Sequence, residues 1–268
     1  MIRITATAML LLAAWTSPTE ADPLQDAVAG EHRSSEARLR DEYRHPQQTL
    51  RFFDIQPNMT VVEISPGGGW YTDILAPLLK DEGALYAAHF HVDENSSDYF
   101  RQSRERFAQR IETDPVYQAV KLTSFDPAHA LDFAPAGTVD RVLTFRNVHN
   151  WYMRHGDEGI ERVFAAFFKA LKPGGILGVV EHRLAEDQPD EWQQRSGYMK
   201  TSYVVKMAQQ AGFEILASSE VNANPLDQHN HPKGVWTLPP RLMLEDTDRD
   251  KYLAIGESDR MTLKFVKP

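Results

Sequence analysis

Val61-Val62-Glu63-Ile64-Ser65-Pro66-Gly67-Gly68-Gly69-Trp70-Tyr71-Thr72 decides the fold. The apolar run ending in Glu63-Ile64 reads as a buried strand, the three glycines as a tight turn, and Tyr71-Thr72 as the opening of a helix. Successive glycines remove every Cβ at the junction, so backbone N–H groups can approach a bound ligand closely. A carboxylate at the end of such a strand can accept hydrogen bonds from a ligand's polar groups.

Outward from this point the pattern repeats. Expected strands cover 59–64, 83–90, 117–122, 139–145, 176–181, 213–219 and 261–266, and expected helices cover 71–79, 98–111, 159–171 and 201–211. Lys172-Pro173-Gly174-Gly175 ends the third of these helices and Gly212 the fourth. Strands alternating with helices predict an α/β fold: a mostly parallel, doubly wound, seven-stranded sheet covered on both faces. The last two strands lack a crossover helix and predict an antiparallel pair at one edge. Charge-rich segment 22–57 carries apolar residues at helical spacing and predicts N-terminal helices before the core domain of 58–268. Within that domain, 221–257 lacks a clear period and is rich in Pro, Asn and His. An insertion of that length predicts a lid.

The chain has 268 residues, 42% of them hydrophobic, with no cysteine and a net charge of −9. That charge argues against nucleic acid as the main partner, because phosphate binding needs clustered Lys and Arg. Without cysteine there is no disulfide and no thiolate chemistry. Residues 1–21 have a basic start, an apolar run from Ile4 to Trp15 and a small-residue site before Asp22, the layout of a secretory signal peptide. The apolar run is shorter than the ~18 residues a membrane span needs. The expectation is a periplasmic protein exported by a cleaved leader.

The segment Glu63–Thr72, together with Asp126 after the third strand, Asn147–Trp151 after the fourth and the Lys172–Gly175 turn, resembles the class I S-adenosylmethionine (SAM) dependent methyltransferases. Their usual E/D-x-G-x-G-x-G departs here to Ser65-Pro66. The resemblance implies SAM as cofactor, bound by Glu63, Ser65, Gly67, Gly68, Gly69, His89, Asp126 and Asn147. His89 stands where an acidic residue commonly holds the ribose, with Asp93 and Glu94 close behind, and Asp126 sits where an acid faces the adenine amino group or simply caps a turn. His149 is the candidate base, Arg146 the candidate for an anionic group on the acceptor, and Tyr198 a further candidate catalytic residue at the same rim. No metal is expected; His89-x-His91 on one strand face does not by itself converge on a third ligand. The implied partner is a small molecule or an envelope component. The alternative is a non-catalytic periplasmic ligand-binding protein on the same fold.

Overall fold

The computed structural model describes residues 22–268. The expected signal peptide, 1–21, lies outside the described residues. Asp22 caps the first helix, α1 (Pro23–Ala29), by accepting from the Gln25 N–H, and Pro23 takes the first helical position, where no N–H is needed. Two single-turn helices follow, α2 (Ser35–Arg38) and α3 (Asp41–Arg44). His45 then turns left-handed (φ 40°), and Pro46 opens α4 (Pro46–Phe52).

The sheet is built from β1 (Thr60–Ile64), β2 (Ala84–Phe90), β3 (Lys121–Phe125), β4 (Val139–Phe145), β5 (Leu171–Leu184), the two-residue β6 (Met199–Lys200), β7 (Glu214–Ser219) and β8 (Arg260–Val266). Its order is β3-β2-β1-β4-β5-β8-β7, with β6 pairing on β5. Strands β1 to β5 run parallel, and β8 lies antiparallel between β5 and β7. The antiparallel edge pair is present, but Gly256-containing segment 220–259, not a short hairpin, joins its two strands.

Helices cover both faces. α5 (Thr72–Leu79) and α6 (Asp98–Thr113) join α1 and α4 on one side. α7 (Val148–Ala170) and α8 (Thr201–Gln210) cover the other. Alternation along the strands explains the two cores. Val62, Ile64, Val142 and Val179 face α7, whereas Val61, Leu143 and Val180 face α1 and α5. Among the described residues no helix is long and apolar enough to cross a membrane.

Three boundaries differ most from expectation, and the fifth strand, expected over 176–181, runs from Leu171 to Leu184. The third strand begins at Lys121, not Tyr117, because Tyr117–Val120 forms a turn closed by the Val120 N–H on the Tyr117 carbonyl. Tyr117 is fully buried there, its hydroxyl donating to Asp73 at 2.7 Å. The helix expected over 159–171 begins eleven residues earlier, at Val148, and bends at Gly156 (φ 60°).

Candidate functional site

In open α/β sheets a ligand sits beyond the carboxyl ends of the strands, where the strand order reverses. Here that point lies between β1 and β4. A cavity of about 710 Å³ opens there, within the usual range for small-molecule sites. Glu63, Ser65, Gly67 and Gly68 from the β1–α5 turn line it, as do Arg146 and Asn147 after β4.

The three glycines have three different reasons. Gly67 has φ +60°, a conformation costly for a side chain, and a Cβ there would meet nothing within 4 Å. Gly69 has φ +84°, and its Cβ would lie 2.5 Å from the Tyr117 hydroxyl; it does not line the cavity. Gly68 has neither constraint: its φ lies outside the left-handed region and its Cβ would enter open space. Nothing in the fold itself requires the bare backbone at Gly68.

Glu63 is 3% exposed, and the Thr72 hydroxyl donates to its Oε2 at 2.6 Å. Burial pushes this carboxyl up to about 7, outweighing the Thr72 hydrogen bond. Ser65 is left-handed (φ 49°), with its N–H on the Ala88 carbonyl at 2.8 Å, which bends the chain away from β1. The Asn147 amide donates to the Ile64 carbonyl (3.0 Å) and Thr144 Oγ1 (3.3 Å), tying the ends of β1 and β4 together. Asp126 lines the cavity, while its Oδ1 accepts from the Ala128 and His129 N–H groups as a turn cap.

Four of the expected site residues do not reach the cavity. Gly69 is one. His89 is fully buried; its Nδ1 accepts from the Phe90 N–H, so Nε2 carries the proton and donates to the Gly67 carbonyl at 3.1 Å. Burial lowers its pKa to about 4, so the ring is neutral and braces the glycine turn from beneath. Neighbours Phe90 and His91 line the cavity in its place. His149 is turned towards β5: its Nδ1 donates to Glu181 Oε1 at 2.9 Å and its backbone N–H to Oε2. Helical spacing explains the miss, since Asn147, Asn150, Trp151 and Arg154 share the cavity face of the first turns of α7. Tyr198 is fully buried and donates to Asp227 Oδ2 at 2.9 Å, and burial beside that carboxylate drives its pKa far up.

His149, Glu181 and His182 bring three ligand-type side chains together. Glu181 already accepts from His149 Nδ1 and the His182 N–H, and His182 Nδ1 is hydrogen-bonded to Ser258 Oγ at 2.6 Å. Burial, together with His149 and nearby Arg146, Arg260 and Arg44, holds His182 neutral. Guanidinium charges repel a cation, so the geometry is that of a hydrogen-bonded brace.

The sequence reading missed the far wall. His32, Ser34, Glu36, Ala37, Arg40 and Arg44, around α2 and α3, close the cavity there. Trp70 and Tyr71, directly after the glycines, hold that wall in place. Trp70 Nε1 donates to the Ala37 carbonyl (3.1 Å), the Tyr71 hydroxyl to that of Arg44 (3.3 Å), and the Arg44 guanidinium lies 4.6 Å from the centre of the Trp70 ring. The Arg40-x-x-x-Arg44 spacing was the available signal. No residue of 221–257 lines the cavity. Instead of forming a lid, that segment supplies Glu257, which anchors Arg40 and Arg44 from behind.

Among solved structures the chain is similar to a SAM-dependent methyltransferase from Aquifex aeolicus, at 14% identity over 93% of this chain and all of that one (TM-score 0.54). It is also similar to a geranyl diphosphate C-methyltransferase from Streptomyces coelicolor, at 12% identity over 96% and 89% of the two chains (TM-score 0.53). A third is the cyclase SpnF, at 16% identity over 92% of each chain (TM-score 0.54). The fold is that of the class I methyltransferases. No family model matches the sequence, and no curated protein matches it. Likenesses at these identities establish the fold, and one of the three proteins is named for cyclisation, so the fold alone does not fix the chemistry.

Proposed function

We propose that the protein is a SAM-dependent methyltransferase acting on a small molecule or envelope component. One observation carries this reading: Gly68, free of any conformational or packing need for glycine, faces open cavity beside Glu63 at the β1/β4 switch point. Residues that would hold the cofactor are Glu63, Gly67 and Gly68 on one side, and Asn147, Asp126, Phe90 and His91 on the other. The chemistry supplied by bound SAM is a methyl group on a cationic sulfur, transferred by in-line displacement with the acceptor losing a proton.

The contribution of the chain is alignment. Asn147 fixes the spacing of the β1 and β4 ends, and Tyr71 stacks on Phe145 at 3.6 Å to floor the region between the glycine turn and Arg146. His149 is a brace for Glu181, and among the described residues the histidines that line the cavity are His32, His91 and His155. Export to the periplasm is part of the proposal, and mass spectrometry of the mature N-terminus from the native host tests it: an intact Met1 start would refute it.

Calorimetric titration with SAM and with S-adenosylhomocysteine tests the reading as a whole. Micromolar binding that disappears in Gly68→Val supports it. No binding at millimolar cofactor overturns it and leaves a ligand-binding protein on this fold.

A further inference from the structure

Three arginines converge on one carboxylate behind the cavity, and a fourth lines the cavity without a partner of its own among the described residues. Glu257 accepts from Arg40 Nε at 2.7 Å and Arg44 Nε at 3.1 Å, and Arg260 Nη1 lies 3.3 Å from it. Arg146 adds its charge from the β4–α7 turn. Arg40, Arg44 and Arg146 line the cavity, whereas Glu257 and Arg260 do not. Arg44 is 3% exposed, and Arg146 has no side-chain hydrogen bond or ion pair among the described residues. Guanidinium groups do not shed their charge, so burying several together is costly unless anions balance them, and Glu257 supplies one negative charge against four positive ones. Burial and the neighbouring Arg146 both weigh against the charge of Arg44.

The other acids of the cavity do not supply that anion. Asp73 is held by Arg110 and Tyr117, both at 2.7 Å. Asp126 caps its own turn, Glu63 is hydrogen-bonded by Thr72, and Glu36 is exposed on α2. Arg146 is also held left-handed, φ 62°, with its N–H fixed on the Val180 carbonyl at 2.7 Å. Holding a non-glycine residue there costs conformational energy and fixes the direction in which the side chain leaves the backbone. Trp70, Tyr71 and Phe145 give this end of the cavity an aromatic floor.

We infer that the methyl acceptor carries an anionic oxygen group, carboxylate or phosphate, and that Arg146, Arg44 and Arg40 bind it at the α2–α3 end of the cavity. The inference rests on the methyltransferase reading for the word acceptor, and on the arginine cluster alone for the anion. Binding there would seat the rest of the molecule along Phe145 and Asn147, towards the glycine turn. The contacts are charge-assisted and can be bidentate, which suits Arg over Lys.

Benzoate, inorganic phosphate and neutral benzamide, titrated into the full chain with and without saturating S-adenosylhomocysteine, test this. Benzoate or phosphate should bind at least about tenfold more tightly than benzamide. Arg146→Gln should lose about tenfold or more of that affinity and Arg146→Lys less, with S-adenosylhomocysteine binding unchanged to within about twofold. Thermal unfolding checks that each variant is folded, and Arg146, having no ion-pair partner, is the safest of the three to change. Equal binding of all three probes would overturn the inference. So would an Arg146→Gln variant that loses cofactor affinity as much as probe affinity, since the arginines would then be holding the carboxylate of the cofactor. Arg146-dependent anion binding without any cofactor binding would sink the methyltransferase reading and leave the anion site standing.

Discussion

Replacing Glu63 with Gln should change how the stability of the ligand-free protein depends on pH. Glu63 is fully enclosed at the end of β1, with Thr72 as its hydrogen-bond donor, and burial raises its pKa from 4.5 to about 7. At about 1.4 kcal/mol per pH unit, that gap corresponds to about 3 kcal/mol. The folded pKa lies above the unfolded one, so the favourable contribution of the neutral carboxyl is complete below pH 4.5. It is lost as the pH rises through 7. Gln keeps the shape and an acceptor for Thr72 but cannot ionise. Urea denaturation of both proteins at pH 5 and pH 8 isolates the effect, because other titrating groups cancel in the difference. The wild type should lose about 2.5 kcal/mol more than Glu63→Gln between the two pH values. Parallel profiles would refute the reasoning. Cofactor affinity gives the complementary readout. A ligand that donates hydrogen bonds to ionised Glu63 should bind more tightly as the pH rises through 7 in the wild type, and with a flatter profile in Glu63→Gln.

Gly68→Val should leave stability within about 0.5 kcal/mol of wild type while abolishing S-adenosylhomocysteine binding by calorimetry, since its side chain enters only open cavity. Gly69→Ala should instead cost about 2 kcal/mol or more in denaturation experiments, because of its φ of +84° and the Tyr117 hydroxyl 2.5 Å from the new Cβ. His149→Ala should lower stability by about 2–3 kcal/mol by removing the side-chain partner of buried Glu181, and leave cofactor affinity in place; a general base without a bracing role would leave stability near wild type. Glu257→Gln should destabilise by about 3 kcal/mol at pH 7, because burial alone would raise this carboxyl but Arg44, Arg260, Arg146 and Arg40 hold it at about 2. That stability is present above pH 4.5 and lost as the pH falls towards 2, so wild type and variant should converge under acid in a pH series of thermal melts.

What the sequence by itself determined was local. A positive-φ turn favours glycine, a buried strand needs a continuous apolar run, and Lys172-Pro173-Gly174-Gly175 cannot continue α7 past Ala170 and instead leads β5; each is written within a few neighbouring residues. Glu63, Ser65, Gly67 and Gly68 are therefore legible at the end of β1, and Arg146 and Asn147 at the end of β4. Tertiary structure decided the direction in which each further side chain points. His149 sits one residue inside α7, and a rotation of about 100° per residue carries it away from the cavity shared by Asn147 and Asn150. His89 ends on a strand at the expected place, yet the glycine turn folds back over it and claims its Nε2. The arginine wall is the least legible part, because Arg40 and Arg44 meet Glu257 across more than two hundred residues of chain. Segment 221–257 becomes a buttress and not a lid for the same reason: periodicity records which face of an element is buried, but only the packed fold records what lies opposite.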